Sequence, residues 1–176
     1  MSFIELLRSR RSIRKYRKAP IDKSAVDLLA ESLLRSPSSR GINPWEFIFV
    51  DDGELLAKLS RAKPHGAEFL AGAVLAVVIL GDETKSDVWI EDCSIAAIVA
   101  QLLAQDIGLG SCWGQIRLRP HDKDTSAEEY VQNLLEIPKH LRVNMIVGLG
   151  FPAETKQPVP ADKLDFGKIH RNRFAG

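Results

Sequence analysis

Residues 73–80 read Ala-Val-Leu-Ala-Val-Val-Ile-Leu, an unbroken apolar run. It is short enough to read as a β-strand. Side chains alternate along a strand, and every position here is apolar, so both faces need cover. A second pattern offers that cover. Ser86–Asp106 is the longest helical repeat, rich in Ala, Ile, Leu and Val, and apolar nearly all round its middle. Such a helix belongs at a domain centre or in a subunit interface.

The remaining elements fall around these two. Ser2–Ser9 reads as a short helix with Ile4 and Leu7 on one face. Asp22 is a candidate N-cap for a helix over Ala25–Arg35, with Val26, Leu29 and Leu33 at helical spacing. Trp45–Val50 is aromatic and β-branched, hence a strand. A helix follows near Glu54–Arg61. Gly108 and Gly110 close the long helix. Ser111–Leu118 reads as a strand, Thr125–Leu135 as a helix and Asn144–Leu149 as a fourth strand. Residues 152–176 lack strong periodicity, so this tail is expected to lie along the body or on a partner. Helices interleaved with few strands predict a single domain over 1–176, a three-layer α/β/α sandwich.

Charge is unevenly placed. The 176-residue chain has net charge +1, yet residues 8–18 carry seven Lys and Arg and no acid. Residues 19–176 hold 17 basic and 22 acidic side chains. No global field points to nucleic acid. Cys93 and Cys112 are too few for a disulfide framework, and the four histidines stand at no metal-ligand spacing. The N-terminus does not read as a signal peptide. Val88–Ile107, with Glu91, Asp92, Gln101, Gln105 and Asp106, is too polar to span a bilayer. The expectation is a soluble cytoplasmic protein.

Four segments carry candidate chemistry. In Arg10-Arg11-Ser12-Ile13-Arg14-Lys15-Tyr16, an extended backbone puts Arg10, Ser12 and Arg14 on one side. Guanidinium groups and a hydroxyl are what a phosphate binds. From charge alone, a solvated basic face is the plainer reading. Ser36–Trp45 combines Pro37 and Gly41 with Ser38, Ser39 and Asn43. It can set polar groups against a heterocycle or serve as an ordinary connection. Gly108–Gly114 follows the long helix, so it is no Rossmann fingerprint; its small residues let a flat ligand approach, or simply close a helix. His170–Phe174 returns Arg171 and Arg173 to a phosphate, or is a basic tail.

Taken in order, these segments resemble the FMN-dependent nitroreductase family. RRSIRKY is similar to its N-terminal Arg-Arg/His-Ser-x-Arg/Lys element, and SPSSRGINPWEF to its Pro-Ser-x-x-Asn-x-Gln-Pro-Trp loop. IGLGSCWG and VGLGFPAE resemble its glycine-rich segment and its late Gly-Tyr/Phe-Pro-Ala-Glu stretch. The resemblance covers essentially the whole chain. It implies an α+β fold with a mixed, largely antiparallel central sheet, and a homodimer with FMN sites built from both copies. By that likeness Arg10, Arg11 and Ser12 hold the phosphate and ribityl end, helped by Arg171 or Arg173, while Arg14 faces the flavin pyrimidine edge. Pro37, Ser38, Ser39 and Asn43 reach the flavin from the second subunit, and Gly110, Ser111, Cys112 and Trp113 flank its ring. Two positions depart from the pattern: Gly41 stands where Asn is usual, and Asn43 where Gln is usual.

The implied activity is ping-pong transfer of hydride from NADH or NADPH, through FMN, to small acceptors such as nitroaromatics or quinones. No side chain stands out as a protein acid or base, and Cys112 reads as a packed thiol. Three alternatives stand beside it. One is a specialised flavin reaction such as dehalogenation or dehydrogenation. The others are a flavin-binding protein without turnover and a basic-arm nucleic-acid binder.

Overall fold

The structure is a computed structural model that describes residues 2–174. Its sheet has four strands, β1 (Trp45–Val50), β2 (Leu75–Asp82), β3 (Gly110–Gln115) and β4 (Leu141–Gly150), in the order β1-β2-β4-β3. All three strand pairs are antiparallel. Parallel register occurs in one isolated bridge, between Ser12 and Ser111.

The apolar run is the middle of the molecule, as its two-faced apolarity requires. Ala76, Val78 and Leu80 belong to one core cluster, and Leu75, Val77 and Ile79 to another. Helices α2 (Lys23–Leu34) and α4 (Trp89–Asp106) cover the second face through Leu29, Leu33, Cys93, Ala96, Ala97, Ala100 and Ala104. Helices α3 (Gly53–Leu59) and α5 (Ala127–Leu134) cover the first through Leu56, Leu59 and Val131, joined by Phe69 and Leu70 from a short 3-10 turn. The sandwich therefore has three layers and two separate cores.

Several expected boundaries move for local reasons. The third strand stops at Gln115 rather than Leu118, because the amides of Ile116 and Arg117 both turn to the Asn144 carbonyl, each at 3.1 Å. Asn144 sits in a β-bulge: Ile79 pairs with Met145 and Leu80 with Val143. The fourth strand starts at Leu141, three residues earlier than its apolar run implied. The long helix starts at Trp89 rather than Ser86. In α1 (Phe3–Ser9) the expected inner face is reversed. Leu6 is buried, whereas Ile4 and Leu7 point outward. Asp22 occupies the N-cap of α2 without a side-chain capping bond.

Close approach of β2 to α4 depends on Gly81. A Cβ there would run into the Trp89 indole and lie 3.0 Å from Cys93 Sγ. Gly53, by contrast, has nothing within 4 Å of that position. Gly81→Ala is therefore expected to cost about 1–3 kcal/mol through overpacking, a fall in Tm of roughly 3–10 °C. Gly53→Ala is expected to leave Tm unchanged or slightly raised. Thermal denaturation of both variants checks the contrast.

Candidate functional site

The basic segment is laid over the start of edge strand β3 and the end of β4 by two glycines and a tyrosine. The Ile13 amide donates to the Ser111 carbonyl at 2.9 Å, and Ile13 packs over Gly110, where a Cβ would stand 2.8 Å from its Cγ2. Further along, Tyr16 crosses Gly150 in the same way, at 2.9 Å. Its hydroxyl lies 2.6 Å from the Ile13 carbonyl and 3.1 Å from that of Gly148. Arg17 N–H donates to Phe151 O, and Ala153 N–H to Lys15 O. The chain is extended but is not a continuous strand. Ile13 and Tyr16 both turn inward, while Arg14 is exposed and Arg10, Arg11 and Ser12 are half-buried.

Two residues that the sequence reading did not single out hold this segment in place. Glu154 Oε1 accepts the backbone amides of Arg14 at 2.6 Å and Lys15 at 3.2 Å. Lys156 Nζ donates to the Ser12 carbonyl at 2.8 Å and lies 3.4 Å from Glu154. The Arg14 amide bond, chiefly, holds the Glu154 carboxyl below the usual carboxylate range, with Lys156 adding to it. The signal for Glu154 was the FPAE stretch, noted for its likeness but given no role; Lys156 carried none. Arg11 is turned aside, donating to the Gln157 carbonyl. The guanidinium groups of Arg10 and Arg14 form no ion pair among the described residues.

The glycine-rich segment is the edge strand β3, and its side chains divide between the two faces. Cys112 joins the core under α3 and α5, beside Ile13. Trp113, nearly half exposed, instead lines a cavity of about 180 Å³ with Ser94, Ile98 and Gln101 of α4. A flat ring lying on one face therefore meets the side chain of Cys112 or of Trp113, not both. Burial raises the Cys112 thiol, against the pull of Arg14 and Lys156, so it stays protonated and packed. Lys63 is half-buried, and burial, with Arg119, pushes its ammonium down.

The Ser36–Trp45 loop is elsewhere. Ser38 Oγ donates to Asn43 Oδ1 at 2.7 Å and accepts the Asn43 amide at 2.9 Å. The Ser39 amide donates to Asp92 Oδ1 at 2.8 Å, near the start of α4. Arg40, Gly41 and Asn43 all have positive φ, at 54°, 66° and 53°. Gly41 thus suits a left-handed turn that Arg40 and Asn43 tolerate only at a cost.

These groups occupy opposite corners of the sheet. The loop enters β1 at Trp45, which pairs with Gly81, and Gly81 pairs with Arg142. The basic segment meets β3 at Gly110 and Ser111, which pair with Gly150 and Leu149 at the other end of β4. Three inter-strand steps and the length of β1 separate them by on the order of 20 Å. The 18-residue α4 gives the same scale, about 27 Å from end to end. The structure thus unites Ser12 and Arg14 with Gly110, Ser111 and Cys112, and sets Arg10 beside α1 and the tail, but brings none of them to Pro37, Ser38, Ser39 and Asn43. Arg171 and Arg173 lie in the exposed tail, where the Arg173 amide donates to the Arg171 carbonyl.

Glu154 provides a pH test. Its folded pKa lies below its unfolded value, so its charge contributes stability above the ordinary glutamate range, near 4.3. That contribution is lost as pH falls through the lowered folded value. Glu154→Gln keeps an acceptor but never the charge. Its Tm is expected to fall below that of the wild type at pH 7, and the gap to narrow as pH falls below the ordinary glutamate range. A gap of the same size at every pH down to acid unfolding means the carboxylate charge is not what holds the segment.

Comparison with known proteins places this geometry. The Nitroreductase family model matches residues 7–64 and 61–151. A protein of Archaeoglobus fulgidus, with the provisional name NADH dehydrogenase/NAD(P)H nitroreductase, is 32% identical over 97% of this chain and 98% of its own. The solved structure of an FMN-dependent nitroreductase from Clostridium difficile R20291 superposes with a TM-score of 0.96. It is 44% identical, covering 97% of this chain and 99% of that one. A Thermus thermophilus NADH dehydrogenase is 27% identical over 85% of this chain and 86% of its own. Family model, sequence and fold agree along nearly the whole length, and the chain belongs to the nitroreductase family.

Proposed function

We propose that this chain is an FMN-dependent oxidoreductase that works as a homodimer, taking electrons from NADH or NADPH and passing them to small acceptors such as nitroaromatics or quinones. The observation that carries the reading is the separation of its two polar corners. Both resemble flavin-binding elements, yet they lie on the order of 20 Å apart with helix-covered sheet between them. A second copy brings the Ser38–Asn43 loop of one chain to the Arg10–Arg14 segment of the other.

Exposed apolar surface supports self-association. Ile95 and Ile98 of α4 are 39% and 40% exposed, and Ile98 shares a cavity with Trp113. Ile4 and Leu7 line a cavity of about 520 Å³ with Val159, Leu164, Phe166 and the arginines 8, 10 and 11. The tail adds Ile169 and Phe174, at 75% and 81%. A second copy is the partner that buries these groups and uses the site.

The donor set fits the cofactor. Arg10 and Ser12 supply a guanidinium and a hydroxyl for a phosphate, and Arg11 joins them once released from Gln157. Arg14, with its backbone fixed by Glu154, sets a cation toward the ring's electron-rich edge. Gly110 and Ser111 bring backbone close, while Pro37, Ser38, Ser39 and Asn43 come from the partner, and Arg171 and Arg173 add charge from the tail. FMN, when bound, supplies hydride acceptance and donation. The protein's own part is binding, orientation and electrostatic support, with Cys112 a packed neighbour rather than a nucleophile. Among the described residues no helix is long and apolar enough to cross a membrane.

Purified protein should carry a flavin absorption spectrum that NADH or NADPH bleaches without air. Tight FMN with no bleaching by either would make it a carrier, and a colourless protein that takes up no FMN would refute the reading. Arg10→Ala, which removes one charge-assisted bond of about 1.5–3 kcal/mol, should weaken FMN binding about 10- to 100-fold. Ile98→Arg should yield a monomer by sedimentation and lose FMN with it. A monomer that retains FMN would remove the case for a shared site.

A further inference from the structure

Asp92 is 2% exposed, yet among the described residues one of its oxygens, Oδ2, has no hydrogen-bond partner, and the other bonds the Ser39 amide alone. A buried carboxylate so poorly satisfied is costly, and a residue kept for packing would be better apolar. The field of the first turn of α4 offsets part of that cost. What remains specific is the bond itself, which joins α4 to a loop 53 residues earlier.

That loop needs a tie. Arg40 and Asn43 are non-glycine residues at positive φ, a conformation that persists only where surroundings impose it. The loop's ends are held, by Ser36 on α2 and by the Asp82 amide on the Pro44 carbonyl at 2.8 Å; between them, among the described residues, the tie beside Asp92 is Arg40 to Asp87 at 2.8 Å, which joins two exposed side chains and holds little. The Ser38–Asn43 pair is internal and moves with the loop.

We infer that Asp92 is a positioning residue: it imposes the left-handed turn of residues 38–43 and thereby prepares the loop to receive FMN from the neighbouring subunit. The inference rests on the flavin reading above. Asp92 acts through the loop's backbone and need not touch the cofactor. A missing tie leaves the loop to be ordered at the expense of binding.

Two readouts in the full-length dimer test it: the rate of tryptic cleavage after Arg40 without flavin, and FMN affinity by fluorescence quenching. Asp92→Ala should accelerate cleavage at least about tenfold and weaken FMN about tenfold or more, the scale of one charge-assisted bond. Asp92→Asn keeps an acceptor for the Ser39 amide and should bring both back to within about threefold of wild type. A second pair approaches from the loop side, independent of whether Asp92→Ala folds. Ser39→Pro removes the amide donor at a position whose preceding residue is already extended (Ser38 φ −133°, ψ 157°). It should match Asp92→Ala, while Ser39→Ala, which keeps the amide, should cleave like wild type. Wild-type cleavage in Asp92→Ala or Ser39→Pro, or an Asn variant as defective as the Ala one, overturns the tie. A wild-type protein that binds no FMN overturns the flavin reading instead, and the flavin-free cleavage rates still decide whether Asp92 holds the loop.

Discussion

Burial of the central strand pair on both faces governs the rest of the molecule. β2 has no exposed position, and β4 has almost none. Each face must therefore carry helices, and a helix-covered face cannot admit a ring system. Among the described residues the candidate binding segments lie at the edges and ends of the sheet. The candidate binding segments accordingly lie at corners: one where the N-terminal basic segment crosses β3, another where the serine-rich loop enters β1.

At each corner a carboxylate grips backbone amides, with a side-chain ion pair beside it, Lys156–Glu154 at one and Arg40–Asp87 at the other. Glu154 fixes Arg14 and Lys15, and Asp92 fixes Ser39. The arrangement has a physical logic. Amide donors satisfy the acid and set the path of the chain, and the guanidinium groups of Arg10 and Arg14 stay clear of acids inside the protein. A cation already paired with an acid would have to give it up before meeting an anionic ligand. The same economy explains the glycines under Ile13 and Tyr16: a side chain at 110 or 150 would lift the segment off the sheet.

Much of the fold was legible. The runs at 45–50 and 73–80 and the long helix declared themselves by apolarity and length, and all lie where expected within a few residues, the second strand running Leu75–Asp82. The misjudged details share one cause. Asn144 is polar, yet it lies inside a strand as a bulge, and Leu118 is apolar, yet it lies beyond one at positive φ. Ile4 and Leu7 form an apolar face that turns away from this chain's core. Polarity marks burial, and in all three places burial and secondary structure part company. Glu154 and Lys156 were missed as anchors because their partners lie about 140 residues away.

What the sequence determined alone was the inventory: a two-faced strand, helices to cover it, an uncompensated cluster of arginines, and short polar loops of restricted backbone. Periodicity and composition are local properties and survive without a structure. The tertiary fold decided the arrangement. It brought residue 13 onto residue 110 and residue 14 onto residue 154, turned Cys112 and Trp113 to opposite faces, and set the two polar corners at opposite ends of the sheet. Those outcomes depend on strand order and helix length, which place distant residues together or apart through packing and leave no mark on the local pattern.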